Sequence, residues 1–136
     1  VERSRGLGDV YKRQVLDAPF DFETLVREEL IYQGFSELLW TPLYHYVLIF
    51  EGINLLANNP EDSLKAGNKQ PILIFNGMDN DRVLPHHTND LIDSATEIGI
   101  ELEINRYEEL GHTRVLYDYP KEFSIKLVQF FSRHLN

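Results

Sequence analysis

The chain has 136 residues and a net charge of −9, with 43% hydrophobic and 12% aromatic residues. This composition indicates a globular chain of one domain at most, and the negative charge argues against nucleic acid or an anionic membrane as a partner. Because cysteine is absent, disulfides, thiol catalysis and zinc–thiolate sites are excluded, and no apolar run has the length of a membrane span.

The first fourteen residues are predicted to stand outside the fold. Residues 4–14 read SRGLGDVYKRQ, which looks like the in-frame translation of a transposon-derived sequencing adapter, since Asp9 to Gln14 can be encoded by GAT GTG TAT AAG AGA CAG. We therefore expect a non-native tail at 1–14 and natural sequence from about Val15, in mid-gene. An ordinary flexible N-terminus is the alternative interpretation.

Helices are predicted for the segment that follows. After a possible strand stub at 15–16, Asp21 can cap a helix from about Phe22 to Tyr32, and Gly34 ends it. Thr41-Pro42 is a typical helix start. The segment from Leu43 to Ala57 is apolar almost all round, so a helix there must be covered on several sides, either in a core or as the roof of a pocket.

Strands and helices alternate in the second half of the chain. Pro71–Phe75 is predicted as a buried strand, residues 88–98 as a capped helix, and Ile100–Tyr107 as a strand because apolar residues alternate there. The segment 119–135 is predicted to be an amphipathic helix with apolar residues every four positions, namely Phe123, Leu127, Phe131 and Leu135, with Val128 and Phe130 beside them. This order implies a parallel sheet with right-handed crossovers.

Two loops that follow strands carry the candidate chemistry. The first reads NGMDNDRVLP (76–85) and the second reads GHTR (111–114). Because the carboxyl ends of parallel strands lie at one edge of a sheet, a carboxylate of the first loop and His112 are expected to meet there. No Gly-x-Ser-x-Gly nucleophile elbow occurs anywhere in the sequence.

With these motifs in this order, residues 15–136 resemble the C-terminal half of an α/β-hydrolase, in the branch of small serine esterases and peptidases. Family members carry a strand, then H/N-G-x-x-D-x-x-V-P, a helix, a strand, and Gly-His before the final helix. The resemblance implies an α/β fold: the C-terminal part of a parallel sheet of about three strands, with flanking helices. It also implies a helical lid-type insertion at 22–70, followed at 71–136 by strand, acid loop, helix, strand, histidine loop and helix.

The resemblance implies Asp81 as the triad acid and His112 as the general base, with the nucleophile and the oxyanion hole upstream and absent from this chain. Counting back from Pro85 selects Asp81, whereas counting on from Gly77 selects Asn80. The loop therefore carries one extra residue, and Asp79 is the rival acid. No cofactor and no metal are implied.

The other histidines receive no catalytic role. His86 and His87 are adjacent, but side chains of neighbours diverge, so they are interpreted as exposed residues at a helix entry and not as a metal site. His45 is expected to be packed or to line a pocket, and His134 to be exposed. Thr113 and Arg114 are expected to support the histidine loop.

The sequence thus predicts the C-terminal portion of a serine hydrolase that cleaves a small-molecule ester or amide by acyl transfer, inactive as this fragment. The alternatives are a haloalkane-type hydrolase with an aspartate nucleophile and a non-catalytic ligand-binding member of the fold. An unpaired sheet edge predicts self-association or poor solubility. The compartment stays open, with the cytoplasm as the default.

Overall fold

The computed structural model of the chain describes residues 13–57, 59–67 and 69–134, and of residues 13–16 it describes the backbone alone. Of the predicted tail at 1–14, residues 1–12 lie outside the described residues. Two compact units divide the chain. The helical unit is Pro19–Ala66, and the sheet unit comprises the described residues before and after it. Among the described helices, none combines the length and apolarity that crossing a bilayer requires.

Strands and helices follow one another along the chain in a fixed order. They are β1 (Arg13–Leu16), α1 (Phe22–Tyr32), a 3-10 turn (Glu37–Leu39), α2 (Trp40–Phe50), α3 (Pro60–Ala66), β2 (Ile72–Gly77), α4 (Pro85–Glu97), β3 (Leu102–Tyr107), α5 (Val115–Asp118) and α6 (Pro120–His134). The alternation of strands and helices from β2 onward agrees with the predicted α/β class.

The sheet is parallel and has the order β1-β2-β3. In its register Ile72 of β2 lies between Arg13 of β1 and Leu102 of β3. Every residue of β2 is buried, as expected for a strand that is paired on both sides and covered on both faces. This arrangement places the carboxyl ends of the strands, and therefore the loops that follow them, at one edge.

The first strand begins two residues before the predicted start of the fold at Val15. Arg13 and Gln14 pair with Ile72 and Leu73 of the central strand. The hydrogen bonds between strands join backbone groups. Residues with any side chain can therefore extend a strand when they lie opposite a partner strand in register. The predicted boundary between tail and fold therefore differs from the structural one.

The core of the sheet unit joins the central strand to the last helices. Its buried members are Leu73, Phe75, Val115, Phe123 and Phe130. The rings of Phe75 and Phe123 have centroids 4.5 Å apart. In helix α6 Phe123 and Phe130 are buried, whereas Leu127 and Phe131 are only partly buried. The predicted stripe of every fourth residue is therefore rotated, and Phe130 is the deeper anchor.

Helix α4 begins three residues earlier than the predicted start at Thr88. Pro85 occupies its first turn, where no backbone N–H is needed for the helix. His87 is buried, so its predicted exposure is wrong. The reason is its spacing: His87, Leu91 and Ala95 follow one another at intervals of four and form the buried face of the helix.

In the helical unit, α1 has the predicted bounds and the predicted cap. Asp21 accepts a hydrogen bond from the Thr24 backbone N–H at 2.9 Å. Asn59 strengthens this start, because its Oδ1 accepts from the Phe22 N–H at 2.9 Å and its Nδ2 donates to Asp21 at 3.0 Å. Gly34 follows with a φ of 81°, in the left-handed region that ends helices.

Helix α2 ends at Phe50, seven residues before the predicted end at Ala57. Gly52 follows with a φ of 67°, and Asn54 Oδ1 accepts from the Leu56 N–H, so side-chain turn chemistry replaces the helix. Within the described helix, Trp40 alone is buried. His45 is exposed, with Nδ1 2.7 Å from the Thr41 carbonyl oxygen and its ring edge-on to Tyr44 at 5.4 Å between centroids, so it is not a buried packing residue.

Candidate active site

The loops that follow β2 and β3 lie against each other at the carboxyl edge of the sheet. The Met78 N–H donates to the Tyr107 carbonyl at 2.9 Å, and the Asp79 N–H donates to the Leu110 carbonyl at 3.1 Å. A Cβ at Gly77 would lie 2.3 Å from the Leu110 carbonyl oxygen. Only glycine lets the two backbones approach this closely, so the acid loop and the histidine loop are held as one structure.

His112 of the second loop is in contact with Asn80 of the first. Asn80 Nδ2 lies 3.1 Å from His112 Nδ1. Asn80 is buried whereas His112 is exposed. The Oδ1 of Asn80 accepts from the backbone N–H groups of Arg82 and Val83, both at 3.0 Å, which is the local turn chemistry typical of asparagine.

The predicted acid differs from the residue that the structure places beside the imidazole. Asp81 and its rival Asp79 are both exposed, and the side chain at hydrogen-bonding distance from His112 Nδ1 is that of Asn80. The extra residue of the loop therefore lies after position 80 and not before it. The count from Gly77 selects the residue that contacts His112, because Gly77 is the last residue of β2 and the sheet holds it in place. The count from Pro85 differs by one residue because it passes through the turn in which Asn80 Oδ1 accepts from the Arg82 and Val83 N–H groups.

Asp17 is a site residue that the sequence reasoning did not find. It is 3% exposed, and its Oδ1 accepts from the Gly77 N–H at 2.8 Å and from Asn76 Nδ2 at 3.2 Å. Its Oδ2 accepts from the Thr113 N–H at 2.7 Å. The signal that could have found it is its place directly after β1, at the sheet edge where the other two loops are expected.

The residues around His112 are held by these contacts. Thr113 has a φ of 55°, a left-handed conformation that is unfavourable for a β-branched residue. The hydrogen bond to Asp17 helps to maintain it. Arg114, which directly precedes α5, pairs with Asp118 at 2.7 Å; its supporting role stays a prediction. At Gly111 the atom nearest to an added Cβ would be 3.7 Å away, so steric crowding does not require glycine at this position.

The phenol at the end of β3 is a structural donor. Tyr107 Oη donates to Glu122 Oε1 at 2.9 Å, and Lys126 Nζ lies 2.7 Å from the same carboxylate oxygen. Burial raises the pKa of Tyr107, and the hydrogen bond to Glu122 raises it further. The phenol therefore stays protonated and joins β3 to α6.

The other histidines of the sheet unit have ring partners of their own. The rings of His86 and His87 stack with centroids 4.4 Å apart at the start of α4, and His86 Nδ1 is 3.4 Å from Asp90. The ring of His134 packs on Phe130 at 4.7 Å and Nε2 lies 3.6 Å from Glu101. His134 is thus partly buried, and its predicted exposure is wrong.

Solved structures of hydrolases share this architecture. The Pyrococcus furiosus esterase Pf2001 matches 97% of this chain with a TM-score of 0.58 and 20% identity. The Pyrococcus horikoshii acylaminoacyl peptidase matches 93% with a TM-score of 0.60 and 18% identity. The chain spans 49% of the esterase and 20% of the peptidase. No family model matches the sequence, and no curated protein matches it.

These likenesses define the fold of the chain as that of the α/β-hydrolases. At this identity they concern the fold alone. The features of the chain itself that bear on chemistry are the imidazole of His112, the buried amide of Asn80 beside it, and the buried carboxylate of Asp17 that anchors both loops.

Proposed function

We propose that this chain is the C-terminal part of a hydrolase that cleaves an ester or amide bond by acyl transfer. The observation that carries the proposal is the contact of His112 Nδ1 with a buried side chain of the neighbouring loop, at the carboxyl edge of two parallel strands. Ligands of open parallel sheets bind at this edge. The esterase and the acylaminoacyl peptidase that share the fold support the reaction class.

In this mechanism His112 carries the proton. A serine hydroxyl from the part of the protein that precedes this chain attacks the substrate carbonyl carbon, and the imidazole takes the hydroxyl proton. The proton then passes to the leaving oxygen or nitrogen as its bond to the carbonyl carbon breaks. Water repeats the sequence on the acyl-enzyme and regenerates the serine. The oxyanion hole also belongs to the preceding part, so this chain alone is expected to be inactive.

The helical unit is proposed to bind the apolar part of the substrate. It contains a cavity of about 450 Å³ lined by Leu30, Phe35, Leu39, Pro42, Leu43 and Tyr46. Every one of these side chains is apolar or aromatic, as is usual for pockets that accept acyl groups. A lid-type role for residues 22–70 stays a prediction.

Labelling with a fluorophosphonate probe tests the proposed reaction. The gene would be recovered with its upstream sequence, and the longer protein would be treated with the probe and mapped by mass spectrometry. We expect an adduct on a serine upstream of position 15 and strongly reduced labelling in His112→Ala. The matched control is His45→Ala, an exposed histidine of α2. A folded protein that forms no adduct would contradict the serine mechanism.

One observation favours a second candidate function. The residue beside His112 is an amide and not a carboxylate, as could occur in a ligand-binding member of the fold that has lost catalysis. The upstream sequence discriminates between these functions, because a non-catalytic member would lack a nucleophile at the elbow. An aspartate at the elbow would instead favour the haloalkane-type alternative.

The proposal also implies self-association of the isolated chain. Strands β1 and β3 are each paired on one side within the described sheet, and open strand edges template pairing with another chain. Sizing chromatography of the purified chain would reveal oligomers or aggregates. A sharp monomer peak across the range of protein concentrations tested would contradict this expectation.

A further inference from the structure

The amide at position 80 is fixed in one orientation. Its Oδ1 accepts two backbone hydrogen bonds, from Arg82 and Val83, each at 3.0 Å. Turning the amide over would place its NH₂ group against two N–H donors and would lose both hydrogen bonds. The assignment of oxygen and nitrogen therefore follows from the hydrogen-bond network, and the NH₂ group faces His112.

This orientation determines which nitrogen of the imidazole carries the proton. Asn80 Nδ2 is a donor only, and it lies 3.1 Å from His112 Nδ1. Two facing donors repel, so Nδ1 must offer its lone pair. In a neutral imidazole the proton then resides on Nε2.

The Nε2–H tautomer is the wrong one for a general base of the triad type. There Nδ1–H donates to a carboxylate and Nε2 offers the lone pair that takes the nucleophile's proton. We propose that Asn80 is a positioning residue that holds His112 in the Nε2–H tautomer, so that this chain carries an attenuated hydrolase site. The conclusion that the site is attenuated rests on the proposed function, whereas the assignment of the tautomer does not depend on it.

An aspartate at position 80 would reverse the preference without rebuilding the loop. One of its oxygens could accept the same two backbone bonds, and the other would accept from Nδ1–H of His112. Exchange of a triad aspartate for asparagine leaves the geometry intact and lowers kcat by about 10⁴. The substitution Asn80→Asp is therefore expected to raise turnover by at least about 100-fold, with about 10⁴ as the upper end.

The tautomer can be measured on the chain as it is. ¹⁵N-histidine labelling and long-range ¹H–¹⁵N spectra at about pH 9, where histidine is ordinarily neutral, identify the protonated ring nitrogen, with His112→Gln for assignment. If the chain self-associates, solid-state NMR spectra of the sedimented protein also identify which ring nitrogen of His112 is protonated. We expect Nε2–H in the native chain and Nδ1–H in Asn80→Asp. Nδ1–H in the native chain would overturn the proposal.

The charge-matched control is Asn89→Asp, which adds a carboxylate on the exposed surface of α4 and is expected to leave the His112 tautomer unchanged. If the His112 tautomer changed in Asn89→Asp as well, the proposal would be overturned, because an added negative charge anywhere on the chain would then be enough to change the tautomer.

Kinetics of the longer protein separate this inference from the proposed function. In Asn80→Asp the gain should appear in kcat with KM little changed, because the tautomer affects the proton transfer and not substrate binding. A tautomer switch without any gain in labelling or turnover would refute the hydrolase function and leave the tautomer assignment standing. Turnover that rises without a tautomer switch would refute the assignment.

Discussion

Asp17 accepts a hydrogen bond from the backbone N–H of Thr113 at 2.7 Å, between residues 96 positions apart in sequence. The other carboxylate oxygen accepts from the Gly77 N–H at 2.8 Å. One side chain at the end of β1 therefore ties together the loops that carry Asn80 and His112. Hydrogen bonds to a buried carboxylate are among the stronger ones in proteins, so this anchor sets the position of His112.

Removal of the anchor is predicted to destabilise the chain. Asp17→Ala removes the side-chain acceptor of the Gly77 and Thr113 N–H groups and one of the two acceptors of Asn76 Nδ2, and each unsatisfied buried donor costs about 1–3 kcal/mol. We expect the free energy of unfolding in urea to fall by about 3 kcal/mol or more. Asp79→Ala is the matched control, because Asp79 is exposed and should change stability by less than about 0.5 kcal/mol. Equal effects of the two substitutions would refute the anchoring role.

Two glycines of the candidate site are predicted to respond differently to alanine. In Gly77→Ala the new Cβ would stand 2.3 Å from the Leu110 carbonyl oxygen and 2.7 Å from that of Gly111, so the histidine loop must move. Loss of the Asn80–His112 contact should follow, seen as a changed ¹⁵N spectrum of His112 together with reduced stability. Gly111→Ala meets only ordinary contacts and should be tolerated. A stable Gly77→Ala chain with an unchanged spectrum would contradict this prediction.

Much of the site could be predicted from the sequence because parallel strands impose their own geometry. Alternation of strands and helices places residues after β2 and after β3 at one edge, and this brought His112 next to the acid loop. The one-residue difference between the predicted Asp81 and the Asn80 that contacts His112 arises inside that loop. There the hydrogen bonds of Asn80 to Arg82 and Val83 set the register, and spacing alone carries no such information.

Other features could not be predicted because hydropathy does not reveal what covers a side chain. Helix α2 is apolar, yet Ile49 and Phe50 are exposed within this chain. Its early end depends on the turn that begins at Gly52, a local preference that competes with helix propensity. Asp17 was missed for another reason: it lies just two residues after the start of the predicted natural sequence at Val15, where the strand pattern is too short to recognise.

Phe130 is predicted to contribute strongly to stability, although the sequence pattern of α6 placed it beside the apolar stripe of every fourth residue and not within it. It is 1% exposed within the core of the sheet unit, so Phe130→Ala should cost about 3–5 kcal/mol through lost burial and a cavity. Val128→Ala in the same helix is the control, since Val128 is 63% exposed and should cost less than about 1 kcal/mol. Thermal or urea unfolding followed by circular dichroism measures both. Comparable losses would mean that α6 packs on another face.

The apolar cavity of the helical unit is predicted to bind acyl chains through Tyr46. This residue lines the cavity, whereas Phe50, one turn further along α2, does not. Tyr46→Ala should weaken binding of a fluorescent fatty-acid analogue several-fold, while Phe50→Ala serves as the matched control. Both side chains are more than half exposed, so neither change should lower stability greatly. If stability fell while the binding of the analogue held, the cavity would be ordinary packing.

The cap of α1 makes part of the stability depend on pH. Burial raises the pKa of Asp21, but hydrogen bonds from the Thr24 side chain, the Thr24 backbone and Asn59 outweigh it, so the pKa is lowered overall. A carboxylate with a lowered pKa stabilises the folded state fully above its unfolded-state pKa and loses this effect as the pH falls through the folded-state value. Asp21→Ala should therefore reduce the unfolding free energy by about 1 kcal/mol at neutral pH, and by progressively less below about pH 4. Urea titrations at several pH values compare the two chains. A difference between the two chains that does not shrink at all as the pH falls from neutral to below about 4 would show that the charge on Asp21 plays no part.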